Sequence, residues 1–96
     1  MIVVRDVFQA KYGKGGELVA LLNEGRQKFP KTYADRVLTD ASGSFYTVIA
    51  ETNTANLADW EKRIADIFAS SDFGQWFSRM QPLVESGRRE FYNVET

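Results

Sequence analysis

Four short stretches of the chain are rich in β-branched and aromatic residues, and two longer ones carry apolar residues at helical spacing. The predicted strands are Met1–Ala10, Tyr33–Thr39, Ser44–Glu51 and Arg88–Val94. Between the first and second strands, and between the third and fourth, apolar residues recur every three or four positions, which predicts amphipathic helices. The predicted order is strand, helix, strand, strand, helix, strand.

The first predicted helix runs from Gly16 to Phe29 and ends before Pro30. Gly25 lies on the apolar side of this helix, which predicts that it packs closely against the sheet. The rest of the apolar stripe comprises Leu18, Leu21, Leu22 and Phe29.

The second predicted helix begins after Asn56, whose side chain is a candidate N-cap. Its apolar stripe is broken at Ser70–Asp72, where Ser71 is a candidate cap for a second helical piece. Pro82 predicts a kink or an end near Met80, and the pattern allows one further turn over Leu83–Ser86. The stripe comprises Leu57, Trp60, Ile64, Ile67 and Phe68, followed by Phe73, Trp76, Phe77 and Met80.

This order is that of the α+β, ferredoxin-like βαββαβ fold, with a four-stranded antiparallel sheet and helices on one face. The first and third strands are apolar at both odd and even positions, so the second face of the sheet would expose a large apolar patch. Soluble monomers rarely leave such a patch uncovered, and isologous dimers are the commonest assembly. The sequence therefore predicts a homodimer formed through the open sheet face, with a pocket inside.

The composition excludes several classes of protein. The 96 residues predict one domain, residues 1–96, and the 12 basic and 13 acidic residues are spread along the chain. Without a basic block, nucleic-acid binding is disfavoured, and no apolar stretch is long enough to span a membrane. The charged pair Arg5–Asp6 falls where a signal peptide would be apolar, which predicts a cytoplasmic protein.

Cysteine and histidine are both absent. Disulfides, cysteine zinc sites, thiolate nucleophiles and histidine general bases are therefore excluded. We expect neither a metal nor a cofactor, so any catalysis would use Asp, Glu, Lys, Tyr, Ser, Arg, backbone groups or the substrate itself.

Six residues are candidates for lining the predicted pocket: Arg5, Tyr46, Trp60, Trp76, Phe77 and Tyr92. Arg5 interrupts an apolar strand and could hold a carboxylate or enolate, or else pair with Asp6, Glu90 or an interface carboxylate. The tryptophans and Phe77 suit a flat aromatic ligand or, at their helical spacing, the hydrophobic core. The tyrosine hydroxyls could serve a ligand or the dimer interface.

Two further groups of charged residues are weaker candidates. Three arginines could form an anion site, lie at an interface or remain in solvent: Arg36, Arg88 and Arg89. Glu51 and Glu90 lie on predicted strands and could act as a carboxylate pair, although nothing in their spacing brings them together.

Two runs of residues resemble a known family. Val7–Lys14 followed by Glu17–Leu22 is similar to the opening of dimeric α/β-barrel proteins, in particular the NIPSNAP-like group, and Leu83–Tyr92 is similar to their last part. The resemblance implies a homodimer with strands curled into a barrel around an internal cavity. It implies no particular reaction, because the NIPSNAP-like group has none assigned.

The antibiotic-biosynthesis monooxygenase group is related in layout. The resemblance implies that some such proteins oxidise polycyclic aromatic substrates without metal or flavin, and that a subset degrades haem. Many carry a histidine on the second helix, near the position of Trp60 here. This chain departs from that pattern, so haem ligation by histidine is excluded.

The leading hypothesis is a small-molecule-binding homodimer for an aromatic or anionic metabolite, and the alternative is a cofactor-independent, monooxygenase-like enzyme. Two other classes share the order of elements. The run Gly43–Val48 weakly resembles the third strand of RNA-recognition domains but lacks a leading basic residue. The other class with this order of elements is the regulatory ligand-binding module.

Overall fold

The structure is a computed structural model, and it describes residues 1–29 and 34–96. Its strands are β1 (Ile2–Ala10), β2 (Arg36–Thr39), β3 (Thr47–Thr54) and β4 (Val84–Asn93), and its helices are α1 (Gly15–Lys28), α2 (Leu57–Phe68) and α3 (Phe73–Met80). A short 3-10 helix, Gln81–Leu83, joins α3 to β4. The strand order is β2-β3-β1-β4, with every neighbouring pair antiparallel. The predicted α+β, ferredoxin-like fold is confirmed.

The core lies between the helices and one face of the sheet. Alternate strand residues such as Ala10, Val48 and Ala50 are at most 3% exposed and belong to the same buried cluster as the helices. The helical members of that cluster are Leu18, Leu21, Leu22, Ile67, Trp76 and Met80. Because side chains alternate along a strand, the intervening residues point to the other face of the sheet.

Trp76 fixes α3 against α1. Its indole N–H donates a 2.8 Å hydrogen bond to the Leu21 carbonyl, and its ring meets that of Phe29 edge-on at 5.2 Å. A Cβ atom added to Gly25 would lie 2.9 Å from Trp76 Cε2. Gly25 therefore makes room for the indole of α3, and the prediction that it packs against the sheet was wrong.

The loop of the β2–β3 hairpin is longer than predicted, and β3 occupies Thr47–Thr54 rather than Ser44–Glu51. Asp40 closes the hairpin through two 3.1 Å hydrogen bonds to the backbone of Thr47. The Asp40 carboxylate accepts one from the Thr47 N–H, and the Asp40 N–H donates the other to the Thr47 carbonyl. At the other end Thr52 and Thr54 continue the strand despite their polarity, since both pair with β1 and are buried. The predicted first residue of the second strand, Tyr33, lies outside the described residues.

A β-bulge explains why β4 begins at Val84 and not at Arg88. Gln9 pairs with Ser86, but Ala10 pairs with Val84, so Glu85 has no partner in the ladder. The bulge turns Val84 towards the core, where it packs against the buried cluster. The prediction of a helical turn over Leu83–Ser86 was therefore wrong beyond Leu83.

The helix ends follow the prediction in part. The Asn56 side chain accepts a 2.8 Å hydrogen bond from the Asp59 N–H, as expected for an N-cap. The cap predicted at Ser71 was wrong, because Asp72 occupies that position without a side-chain capping bond. Leu57 and Phe68, at the two ends of α2, are exposed rather than buried.

We expect Gly25→Ala to lower the free energy of unfolding by about 1–3 kcal/mol, because the new methyl group collides with the Trp76 ring. Gly74→Ala is the matched control, since α3 leaves open space around Gly74, and it should stabilise by roughly 0.5–1 kcal/mol. Chemical denaturation of the two variants measures both changes. Equal stabilisation by both would contradict the tight contact.

Candidate functional site

The sheet has one face that the described helices do not cover, and we call it the open face. Its residues follow from strand alternation and from the register of the ladder. They are Val3, Arg5, Val7 and Gln9 of β1, Arg36 and Leu38 of β2, Thr47, Ile49, Glu51 and Asn53 of β3, and Ser86, Arg88, Glu90 and Tyr92 of β4.

Charged residues of alternating sign cross the middle of the open face. Arg36 pairs with Glu51, Glu51 with Arg5, and Arg5 with Glu90 in adjacent strands, and we call these four residues the charged row. Directly opposed residues of opposite charge attract one another across a sheet. The row lies beside apolar neighbours, which include Val7 and Ile49.

Glu51 is the centre of the charged row and is only 4% exposed. One carboxylate oxygen accepts a hydrogen bond from Arg5 Nε at 2.8 Å, and the other accepts one from Arg36 Nε at 2.7 Å. Burial alone would raise the pKa of Glu51, but the hydrogen bonds from Arg36 and Arg5 outweigh it and hold the pKa below its usual value. Glu51 is therefore an ionised anchor for two arginines.

Glu90 is held ionised in a similar way. A hydrogen bond from Arg88 at 2.7 Å and one from the Tyr92 hydroxyl at 3.0 Å lower the pKa of Glu90. The same hydrogen bond to Glu90 raises the pKa of Tyr92, so this phenol keeps its proton. Glu51 and Glu90 share the face, but Arg5 stands between them and neither is suited to carry a proton at neutral pH.

Arg5 and Tyr92 border a hollow of about 290 Å³ at one end of the open face. The Arg5 guanidinium lies 5.6 Å from the centre of the Tyr92 ring, and the Arg5 side chain is 39% exposed. We call this space the arginine hollow; Val3, Arg36, Glu51, Asn93 and Val94 complete its lining.

A second hollow of about 560 Å³ lies on the open face beside the β2–β3 hairpin. Its apolar lining includes Val7, Leu38 and Ile49, and Ser42 and Ser44 of the hairpin also line it. Arg88 borders this hollow, and its Nε atom bonds Glu90 at 2.7 Å. The hollow is larger than the arginine hollow, and no aromatic ring is recorded beside Arg88 among the described residues.

Of the six predicted pocket residues, only Arg5 and Tyr92 lie together on the open face. Tyr46 precedes β3 with a left-handed backbone (φ 61°) and meets the ring of Tyr12 edge-on at 5.0 Å. Trp76 is part of the core. The structure does not bring these residues together around one cavity.

The other two predicted aromatic residues lie on the helical side of the sheet. Phe77 is 41% exposed on α3 and stacks on Phe73 at 5.5 Å. Trp60 meets the ring of Phe91 edge-on at 5.2 Å and carries the Arg89 guanidinium 4.8 Å above its own ring. Trp60 therefore ties α2 to β4.

The partner of Arg5 is neither Asp6 nor Glu90, the two residues named in the prediction. Asp6 points to the helical side and binds Arg89 at 2.6 Å, which leaves Arg5 to bind Glu51. Sequence reasoning gave Arg36 no place in the predicted pocket. The available signal was that Arg36 and Glu51 are opposite charges on two strands expected to form one hairpin.

Two features are absent from the described part of the chain. Within residues 1–29 and 34–96, no three acidic side chains are grouped so as to hold a metal ion. No helix in those same ranges has the length and apolar character needed to cross a bilayer.

Comparison with solved structures places this fold among NIPSNAP domains. An uncharacterised NIPSNAP domain protein from Burkholderia xenovorans is 14% identical with a TM-score of 0.84, and the match covers 98% of this chain and 94% of the other. A NIPSNAP family protein from Agrobacterium tumefaciens is 18% identical with a TM-score of 0.80, over 96% and 90% of the two chains. The predicted likeness to this group is confirmed at the level of the fold.

A proposed antibiotic biosynthesis monooxygenase from Nitrosomonas europaea is also similar. It is 12% identical with a TM-score of 0.69, and the match covers the whole of both chains. No protein-family model matches the sequence, and no curated protein matches it. At these identities the comparisons establish the fold of the chain, and the function must be argued from the site.

We expect Glu51→Gln to lower the free energy of unfolding at pH 7 by about 1–3 kcal/mol, because Arg5 and Arg36 lose their charged acceptor. Since folding lowers the pKa of Glu51, the wild-type advantage is complete above the usual value of 4.5 and is lost as the pH falls through the folded-state pKa. Denaturant titrations between pH 3 and 7 measure both effects.

Glu24→Gln is the control, because Glu24 forms an exposed ion pair with Arg79 on the helical side. Its stability should barely change at pH 7. If Glu51→Gln were as stable as the wild type at neutral pH, Glu51 would not be the anchor of the charged row.

Proposed function

We propose that this protein is a homodimer whose open faces pack against each other, and that the space between them binds a small aromatic or anionic metabolite. The observation that carries the proposal is the open face itself, which combines apolar side chains, paired charges and two hollows on the side of the sheet away from the described helices. Apolar side chains beside paired charges are typical of a surface that associates with another protein surface.

A second copy suits the open face for two reasons. Its apolar residues, including Val3, Val7, Leu38 and Ile49, spread over three of the four strands, so a flat self-complementary surface can cover them. The charged row alternates in sign, so a second copy can place arginines opposite glutamates, which favours one register of the two faces over others.

Hollows that are open in one subunit become enclosed when the two faces pack. Enclosure removes a ligand from water and strengthens its polar contacts, as in most small-molecule sites. The arginine hollow provides a cation and an aromatic ring side by side, which favours an anionic or aromatic ligand. The larger hairpin hollow provides apolar residues and hydroxyl groups.

Binding is better supported than cofactor-independent catalysis. The similarity to the proposed monooxygenase from Nitrosomonas europaea favours the enzymatic alternative only through the shared fold. On the open face, Glu51 and Glu90 are held ionised and Tyr92 is held protonated, so none has the pKa of a general base near pH 7.

We expect Ile49→Glu to convert the dimer into a folded monomer, because the new carboxylate would be buried without a partner at the centre of the packed faces. Leu57→Glu is the matched control, since Leu57 is 49% exposed on α2 and away from the open face. Native mass spectrometry gives the oligomeric state, and circular dichroism checks the fold. A wild-type monomer at micromolar concentration, or an unchanged Ile49→Glu dimer, would contradict the proposal.

A further inference from the structure

We infer that the arginine hollow is a binding site for a flat monocarboxylate, an aromatic acid whose carboxylate group bonds the terminal nitrogens of Arg5 and whose ring lies beside Tyr92. This inference rests on the proposed function, because the hollow becomes enclosed only when a second copy covers the open face. It goes further by naming the chemical class of the ligand and the two groups that select it.

Arg5 has donors that its bond to Glu51 leaves unused. Its Nε atom bonds Glu51, and its two terminal nitrogens make no hydrogen bond to the described residues. Arg36 differs, since both its Nε and its Nη2 atoms contact the same Glu51 oxygen, at 2.7 and 2.6 Å. A guanidinium offers its free nitrogens as a planar fork that matches a carboxylate.

The charges that line the arginine hollow are not balanced. Its lining includes two arginines, Arg5 and Arg36, and one carboxylate, Glu51, which leaves one excess positive charge. Asp40 does not offset it at this site, because it bonds Thr47 at the hairpin, about 13 Å along β2 from Arg36. Burying a net positive charge is unfavourable, so the enclosed hollow favours an occupant with one negative charge.

The lining and the volume of the arginine hollow restrict the shape of the ligand. The Tyr92 ring is adjacent to the Arg5 guanidinium and is half exposed, and Val3 and Val94 supply apolar walls. A ring joined directly to a carboxylate can reach both groups at once. The volume of about 290 Å³ is at the small end of ligand pockets, which suits a molecule of one ring.

Benzoate is the probe, and isothermal titration of the full-length protein is the measurement. Benzamide has the same shape without the charge, cyclohexanecarboxylate has the charge without the flat ring, and inorganic phosphate tests for general anion binding. We expect benzoate to bind at least about tenfold more tightly than each of the three, because only it satisfies both Arg5 and Tyr92.

Variants then locate the site. Arg5→Lys keeps the charge but loses the planar fork, and Arg5→Gln loses both, so each should weaken benzoate binding by about tenfold or more. Tyr92→Leu should weaken benzoate more than cyclohexanecarboxylate. Arg79→Gln is the matched control, since Arg79 pairs with Glu24 on the helical side, and its benzoate affinity should equal that of the wild type.

The inference is overturned if benzoate binds no more tightly than benzamide or phosphate, or if both Arg5 variants retain wild-type affinity. The alternative partner of Arg5 is Glu90 of the second copy. If Glu90 holds Arg5, Glu90→Gln weakens the dimer and the wild type does not bind benzoate. That result also overturns the inference. Native mass spectrometry of the same samples separates the two proposals, because a dimer without benzoate binding contradicts only this one and a monomer contradicts both.

Discussion

A four-stranded sheet with all its helices on one side has a second side that must meet either water or another protein surface. The helical side here is filled by Leu18, Leu22, Ile67 and Trp76, so no described element remains to cover the other. That side carries both apolar and charged residues. Its composition of apolar patches around a paired charged row is the property from which the proposed dimer and the proposed ligand both follow.

The buried carboxylate of Glu51 makes such a face compatible with a folded subunit. Two arginines from adjacent strands bind this carboxylate. They differ in the number of nitrogens that contact Glu51 closely, since two are recorded for Arg36 and one for Arg5. Of these two arginines, Arg5 has the greater capacity to bind a further group. The Tyr92 hydroxyl is hydrogen-bonded to Glu90, and the Tyr92 ring lies beside the Arg5 guanidinium.

Hydrophobic periodicity was sufficient to predict the fold, because it depends on which positions must be apolar. It failed where a long-range contact decided the local structure. Thr52 and Thr54 lie beyond the predicted end of the third strand but extend β3 because β1 pairs with them. The bulge at Glu85 reverses the alternation of side chains, so the first residues of β4 were missed. The site was harder to predict than the fold, because Arg36 and Glu51 become neighbours only through the register of the hairpin. That register cannot be derived from the sequence when seven residues separate the two strands.

The central claim is that a second copy covers the open face, and sedimentation equilibrium of the wild-type protein over a range of micromolar concentrations tests it most directly. The account predicts a single species of twice the 10.9 kDa chain mass. A species of 10.9 kDa that persists across the range would contradict it, because the open face would then be stable in water without a partner.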